Sequence, residues 1–245
     1  MKLKIKNIFT SFIKKIFKQF YLQKVNTTLF EAQRKLAFED SQKFIYENSS
    51  TNTMYFDGNN SFKSFHEFCL NEILKKGFIF EFGVYKGRSI NFIAKKLKEG
   101  NDSRLIYGFD SFRGFSEEWS GMNEKYNIKY FDQEGNYPLV PENVKLVDGF
   151  IEDTLPIFIN ENNFDCVSLI RIDTDTYSPS KVILSNLKNF LVKGSIIIFD
   201  EFCGYPNWRS HEFKALNEEI DRNQYEFIGF AQNNSMLTKA AIRII

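Results

Sequence analysis

The stretch Phe78-Ile-Phe-Glu-Phe-Gly-Val-Tyr-Lys-Gly-Arg-Ser89 decides the fold: an apolar run stops at an acid, loops through two glycines and enters a Lys-rich helical pattern. Such a strand, loop and helix aim backbone N–H groups and a helix N-terminus at a small ligand. A second apolar run ends at Tyr107-Gly-Phe-Asp110. That is about 20 residues beyond the loop, the spacing at which an acid accepts hydrogen bonds from ribose hydroxyls. Together the two runs predict a pocket for an adenosine derivative.

Outward from this unit, helical and strand patterns alternate. Helices are predicted over about 62–76, 88–98, 152–161 and 179–191, and strands over 78–82, 104–109, 144–148, 166–172 and 195–199. Alternation with short loops means a parallel sheet covered on both faces. The runs Tyr225 to Phe230 and Ala240 to Ile245 predict an antiparallel hairpin closing the sheet edge. The expectation is a doubly wound, Rossmann-like α/β fold of seven mostly parallel strands, preceded by N-terminal helices. Residues 54–245 form the catalytic domain, and residues 1–53 form a helical segment with a polar linker at Asn48 to Thr53.

A chain of 245 residues holds one such domain and an appendage. The net charge of +1 provides no global field toward nucleic acid. Three scattered cysteines, Cys69, Cys166 and Cys203, fit neither a disulfide framework nor a metal cluster, and point to a reducing, cytoplasmic setting. No run reaches the roughly 20 apolar residues needed to span a bilayer. The basic residues concentrate at the N-terminus, where Lys2, Lys4, Lys6, Lys14, Lys15 and Lys18 accompany an apolar stripe from Ile5 to Phe20. This basic amphipathic pattern has two readings. One is peripheral contact with the inner face of a membrane; the other is packing on the domain or on a second subunit, as in a homo-oligomer.

Ligands in doubly wound sheets bind beyond the C-terminal strand ends, and five predicted ends carry polar groups. They bring Glu81 with the Gly83 to Gly87 loop, Asp110 with Ser111, Gly149 with Phe150 and Glu152, Asp173 with Asp175, and Asp200 with Glu201. Hard carboxylate oxygens on neighbouring strands suit Mg²⁺ or a similar divalent ion. Neutralisation by Arg171, Lys181 or Arg209 is the other reading of the same acids. The segment 111–143, rich in Phe, Trp and Tyr, is too long for an ordinary strand connection and is read as a lid over a small-molecule or glycan acceptor.

Glu81-Phe-Gly-Val-Tyr-Lys-Gly-Arg-Ser89, Gly108-Phe-Asp-Ser-Phe-Arg-Gly114, Gly149-Phe-Ile-Glu-Asp-Thr-Leu155, Ile172-Asp-Thr-Asp-Thr-Tyr-Ser178, Phe199-Asp-Glu201 and Trp208-Arg-Ser-His-Glu-Phe-Lys214 resemble, in order, the TylF/MycF (macrocin O-methyltransferase-like) family of class I S-adenosylmethionine-dependent methyltransferases. The resemblance implies that Glu81, Gly83, Tyr85, Gly87 and Ser89 hold the methionine part of S-adenosylmethionine. Asp110 would then bind the ribose, and Gly149, Phe150 and Glu152 would border the adenine; Ser111, at the same strand end as Asp110, is a further candidate for binding the cofactor. Asp173, Asp200 and Glu201 would bind the metal. The implied reaction is Mg-assisted O-methylation of a sugar or of a glycosylated or lipid-linked acceptor, with Asp173 or His211 as proton acceptor. Thr176 stands where catechol-type enzymes of similar loop carry a lysine base. Two alternatives compete: a glycosyltransferase reading Asp173-Thr-Asp175 as its metal motif, and a non-catalytic, membrane-associated scaffold of the same fold.

Overall fold

The computed structural model describes residues 28–119, 129–163, 165–232 and 236–245. The basic stripe of residues 1–20 lies outside them. The chain runs α1 (Leu29–Asn48), β1 (Met54–Asp57), α2 (Ser61–Glu72), β2 (Phe78–Phe82), α3 (Arg88–Glu99), β3 (Ile106–Asp110), β4 (Val144–Asp148), α4 (Ile151–Glu161), β5 (Val167–Ile172), α5 (Tyr177–Leu187), β6 (Leu191–Cys203), α6 (Glu212–Glu219), β7 (Tyr225–Gln232) and β8 (Thr238–Ile244). The sheet order is β1-β7-β8-β6-β5-β2-β3-β4. Every neighbouring pair is parallel except those made by β8, which runs antiparallel to both β6 and β7.

Two expectations change. The sheet has eight strands rather than seven, because Met54–Asp57 adds a parallel edge strand beside β7. The C-terminal hairpin does not close the edge. β8 inserts between β6 and β7, and β1 covers the outside.

Strand residues alternate between two cores, as the period of two requires. Phe80, Phe82, Ile170, Ile172, Ile197 and Phe199 pack on one face. Ile79, Leu169, Ile196 and Ile198 pack on the other, against Ile90, Ile93 and Leu97 of α3. Helix α1 starts in a capping box, Thr28 with Glu31, and buries Phe44 in the first core. There the Phe44 ring meets Trp208 and Phe213 edge-on, at 5.4 and 5.3 Å between centroids. Asp40 of the same helix accepts from Trp208 Nε1 and from Arg209.

From β2 the chain winds outward through β3 to β4, then returns to the other side of β2 as β5. Ligand crevices open where a doubly wound sheet reverses in this way. Here the reversal sets the ends of β2 and β5 side by side, with Phe82 in register with Ile172.

Candidate active site

The crevice beyond these strand ends is lined by Gly83, Tyr85, Asp110, Ser111, Phe115, Phe131, Phe150, Ile151, Glu152, Asp173 and Asp175, among others. Its volume is about 130 Å³. The mixed polar and apolar lining is typical of a small-molecule site. Gly83 is required by geometry: its φ is +87°, and a Cβ there would lie 1.9 Å from the Asp173 carbonyl oxygen. The strand-to-loop turn can approach β5 this closely only without a side chain.

Asp110 is where the sequence placed it but is engaged differently. Its Oδ2 accepts from the Val84 and Tyr85 N–H groups, each at 2.7 Å, and its Oδ1 accepts from Phe112 N–H at 2.7 Å. The carboxylate therefore ties the glycine loop to β3 while still facing the crevice. Tyr85 sits at φ +50°, a left-handed conformation that costs a non-glycine residue energy. The doubly bonded carboxylate holds it there.

Glu81 lies beneath the loop instead of in the crevice wall. It is 0% exposed and accepts from Ser89 Oγ at 2.7 Å, while its Oε2 has no hydrogen-bond partner. Burial pushes its carboxyl up to about 7 despite Arg171 and Ser89. Gly87 caps α3 at φ +77° without a side-chain hydrogen bond, and Gly149 N–H donates to the Asp110 carbonyl. Phe150, 37% exposed, presents its ring to the crevice beside Glu152, which accepts from Ser116 Oγ at 2.8 Å. From the long 111–143 segment, Phe115 and Phe131 also line the crevice, in edge contact with each other, and Phe131 meets Tyr85 edge-on. An adenosine-type ligand fits these residues: an aromatic and aliphatic wall at Phe150 and Ile151, and hydroxyl and carboxylate groups at Ser111 and Glu152.

The acids assigned to a metal are arranged otherwise. Arg171 is 2% exposed on β5, between Glu81 and Asp173. It donates to Asp173 Oδ2 at 2.9 Å and to Asp200 Oδ1. Lys239 of β8 donates to Asp200 Oδ2 at 2.5 Å. Burial opposes charge on Asp200, but Lys239 and Arg171 outweigh it and hold the carboxyl below its usual range. On Asp173 burial and the neighbouring Asp200 prevail, and the carboxyl is raised. Glu201 instead pairs with Asp175, and burial pushes it up to about 7. Among the described residues no three His, Cys, Asp or Glu side chains form a metal-binding group. Two of the three anticipated ligands already face protein cations, so a divalent ion does not fit them as placed. Of the three basic residues that could neutralise the acids, Arg171 does so; Lys181 binds Glu218 and Arg209 binds Asp40.

His211 does not line the crevice. It is buried and stacked parallel to Tyr205, with Nδ1 3.1 Å from the Tyr205 hydroxyl, and burial lowers its pKa. His66 is buried in a structural role. Its Nδ1 lies 2.7 Å from the Phe62 carbonyl, its Nε2 accepts from Arg171 Nε, and burial and Arg171 push its pKa down to about 3. Sequence reasoning misses two residues, Lys239 and Glu212, although Glu212 falls within the Trp208 to Lys214 motif. Lys239 arrives from a strand after the last motif. Glu212 is fully buried, with both carboxylate oxygens lacking a hydrogen-bond partner, and its pKa is raised by burial first and by Asp173 and Glu201 next.

This sheet order, with a glycine loop at the switch point and β8 inserted antiparallel, defines a class I methyltransferase fold. The crystal structure of CalS11, a calicheamicin methyltransferase, matches it with a TM-score of 0.58 at 25% identity, covering 75% of this chain and 77% of that one. An apo structure of CalS11, described as a TDP-rhamnose 3'-O-methyltransferase, matches at 0.52 and 26% identity, over 72% of this chain and 76% of that one. The family profile of macrocin O-methyltransferase (TylF) covers residues 6–223. The chain belongs to that family, whose members are S-adenosylmethionine-dependent O-methyltransferases. Mycinamicin III 3''-O-methyltransferase of Micromonospora griseorubida is 24% identical over 178 residues, 62% of this chain and 68% of that enzyme. A 4'-O-methyltransferase of Streptomyces olivaceus, acting on a rhamnosyl-tetracenomycin, is 24% identical over 156 residues, 56% of this chain and 58% of that enzyme. Family membership displaces the glycosyltransferase reading.

Proposed function

We propose that this protein transfers a methyl group from S-adenosylmethionine to a hydroxyl of a sugar-bearing small molecule, with Asp173 as the proton acceptor. The observation that carries the reading is the placement of Asp173. It borders the cofactor crevice beside Gly83 and also borders the neighbouring cavity lined by Tyr85 and Arg171. The relatives support a sugar acceptor, since their names specify sugar hydroxyls.

When bound, S-adenosylmethionine supplies an electrophilic methyl on a sulfonium. The chain's contribution is to position and to take up a proton. Gly83, Tyr85 and the Asp110-anchored loop fix one end of the crevice, and Phe150 and Ile151 form the apolar wall for the base. In-line placement of acceptor oxygen and methyl carbon supplies much of the rate in such transfers. Asp173 accepts the hydroxyl proton as the oxygen–carbon bond forms, and its raised pKa suits this task. Arg171 restrains one carboxylate oxygen of Asp173 through Oδ2. Phe115 and Phe131 line the crevice with apolar rings. Arg171 and Lys239 already meet the carboxylates Asp173 and Asp200 that a divalent cation would need.

The test is transfer of labelled methyl from S-adenosylmethionine to a panel of rhamnose and other deoxysugar glycosides. Wild type should label at least one glycoside, and Asp173→Asn should lower kcat by 10²-fold or more while retaining S-adenosylhomocysteine binding. Labelling unchanged in Asp173→Asn would remove Asp173 as base.

A further inference from the structure

Beside the cofactor crevice, and sharing Tyr85 and Asp173 with it, lies a second cavity of about 160 Å³. Its charged lining is Lys86, Arg88, Arg171, Lys239, Asp173 and Asp200, an excess of two positive charges. The two carboxylates are taken: Asp200 lies between Arg171 and Lys239, and Asp173 accepts from Arg171. Lys86 and Arg88 form no ion pair among the described residues. Their cationic groups rest on aromatic faces instead, Lys86 Nζ 5.0 Å from the Tyr85 ring centre and Arg88 Cζ 4.4 Å from the Phe62 ring centre. Arg88 opens α3, whose first N–H groups have no side-chain cap, so the helix dipole adds to the same field. Glu81 lies behind Arg171 and leaves the cavity positive even when ionised.

We infer that this cavity binds a phosphoryl group of the acceptor, so that the methylated sugar is presented as a sugar phosphate or diphosphate. This rests on the methyltransferase reading, because Tyr85 and Asp173 are the shared wall that would set the sugar hydroxyl beside the cofactor. A phosphoryl group carries about 1.5 to 2 negative charges at neutral pH and accepts from several donors at once. It therefore matches an unpaired Lys and Arg beside an uncapped helix start better than a neutral glycoside does. The shared chemistry covers a nucleoside diphosphate sugar and a lipid-linked sugar diphosphate alike.

The test is calorimetric titration of inorganic pyrophosphate into the full chain, with and without saturating S-adenosylhomocysteine. Wild type should bind in both states, less tightly at high salt. The Lys86→Ala/Arg88→Ala double variant should bind pyrophosphate at least tenfold more weakly while binding S-adenosylhomocysteine as before. Absence of pyrophosphate binding, or equal binding by the double variant, overturns the inference. Failure of S-adenosylhomocysteine to bind wild type would strike the methyltransferase reading instead, and the titration without it would still decide the anion site. Competition of pyrophosphate by thymidine diphosphate or by a polyprenyl diphosphate in micelles separates the two sources.

Discussion

Gly83 and Asp173 meet backbone to side-chain position across the switch point of the sheet: a Cβ on Gly83 would lie 1.9 Å from the Asp173 carbonyl oxygen and 2.7 Å from its carbonyl carbon. The hydrogen bond from Asp173 N–H to the Phe82 carbonyl, 2.8 Å, fixes the two strands at that spacing. Gly83→Ala must therefore move either the loop or the base-bearing strand end. It should lower stability by about 1–3 kcal/mol from the left-handed φ and the displacement. It should also abolish the rise in Tm that S-adenosylhomocysteine gives wild type. A normal ligand-induced rise would show that the loop tolerates the displacement.

Asp110→Asn replaces an oxygen that accepts from one or two backbone N–H groups with a donor that cannot. Hydrogen bonds to charged groups contribute about 1.5–3 kcal/mol each. The variant should lose stability in urea by about that amount and bind S-adenosylhomocysteine at least tenfold more weakly. Loss of affinity with unchanged stability would instead indicate that Asp110 acts on the ligand alone.

Arg171→Met leaves Asp200 and Glu81 buried, and Asp173 part-buried, beside a neutral side chain, with only Lys239 to compensate Asp200. Removing one partner of a buried ion network costs about 3–5 kcal/mol. Urea unfolding should register this loss, and a loss under about 1 kcal/mol would show the network to be solvated.

Glu201 gives stability a specific pH dependence. Its carboxyl is raised to about 7 by burial, against an unfolded value near 4.5. A raised carboxyl contributes stability that is complete below the unfolded value and is lost as pH rises through the folded one. For this shift the loss is on the order of 3 kcal/mol between pH 4.5 and 7. Glu81, raised in the same direction, adds to it. Tm should fall from pH 5 to pH 8 in wild type and fall less in Glu201→Gln. Parallel curves for the two proteins would contradict the assignment.

The fold was legible where apolar period and punctuation agreed. Strands 78–82 and 144–148 match their predicted bounds because each is a short apolar run closed by a turn signal. β1 was not legible: Met54-Tyr-Phe-Asp57 is four residues long, mostly exposed, and held by pairing with a strand about 175 residues later and by Phe56 against Phe65 and Phe68. The position of β8 between β6 and β7 is likewise a tertiary choice that hairpin spacing does not encode. In the site, Gly83, Tyr85, Asp110, Ser111, Phe150, Glu152 and Asp173 share one crevice because all follow strand ends on one sheet edge. What the strand ends could not reveal was the partner of each acid. Arg171 is one of three basic residues the sequence offers for Asp173 and Asp200, but the choice among them, and the part of Lys239 on the antiparallel strand, emerge only from packing.

The central claim is that the crevice between Gly83, Asp110 and Phe150 binds the adenosyl cofactor. Calorimetric titration of S-adenosylhomocysteine into the full chain, wild type and Phe150→Ala, tests it most directly. One ligand should bind per chain, and the variant should bind about tenfold more weakly, since stacking of a base on an aromatic ring contributes about 1–3 kcal/mol. No binding to the wild-type chain, or equal affinity in both proteins, would contradict the account.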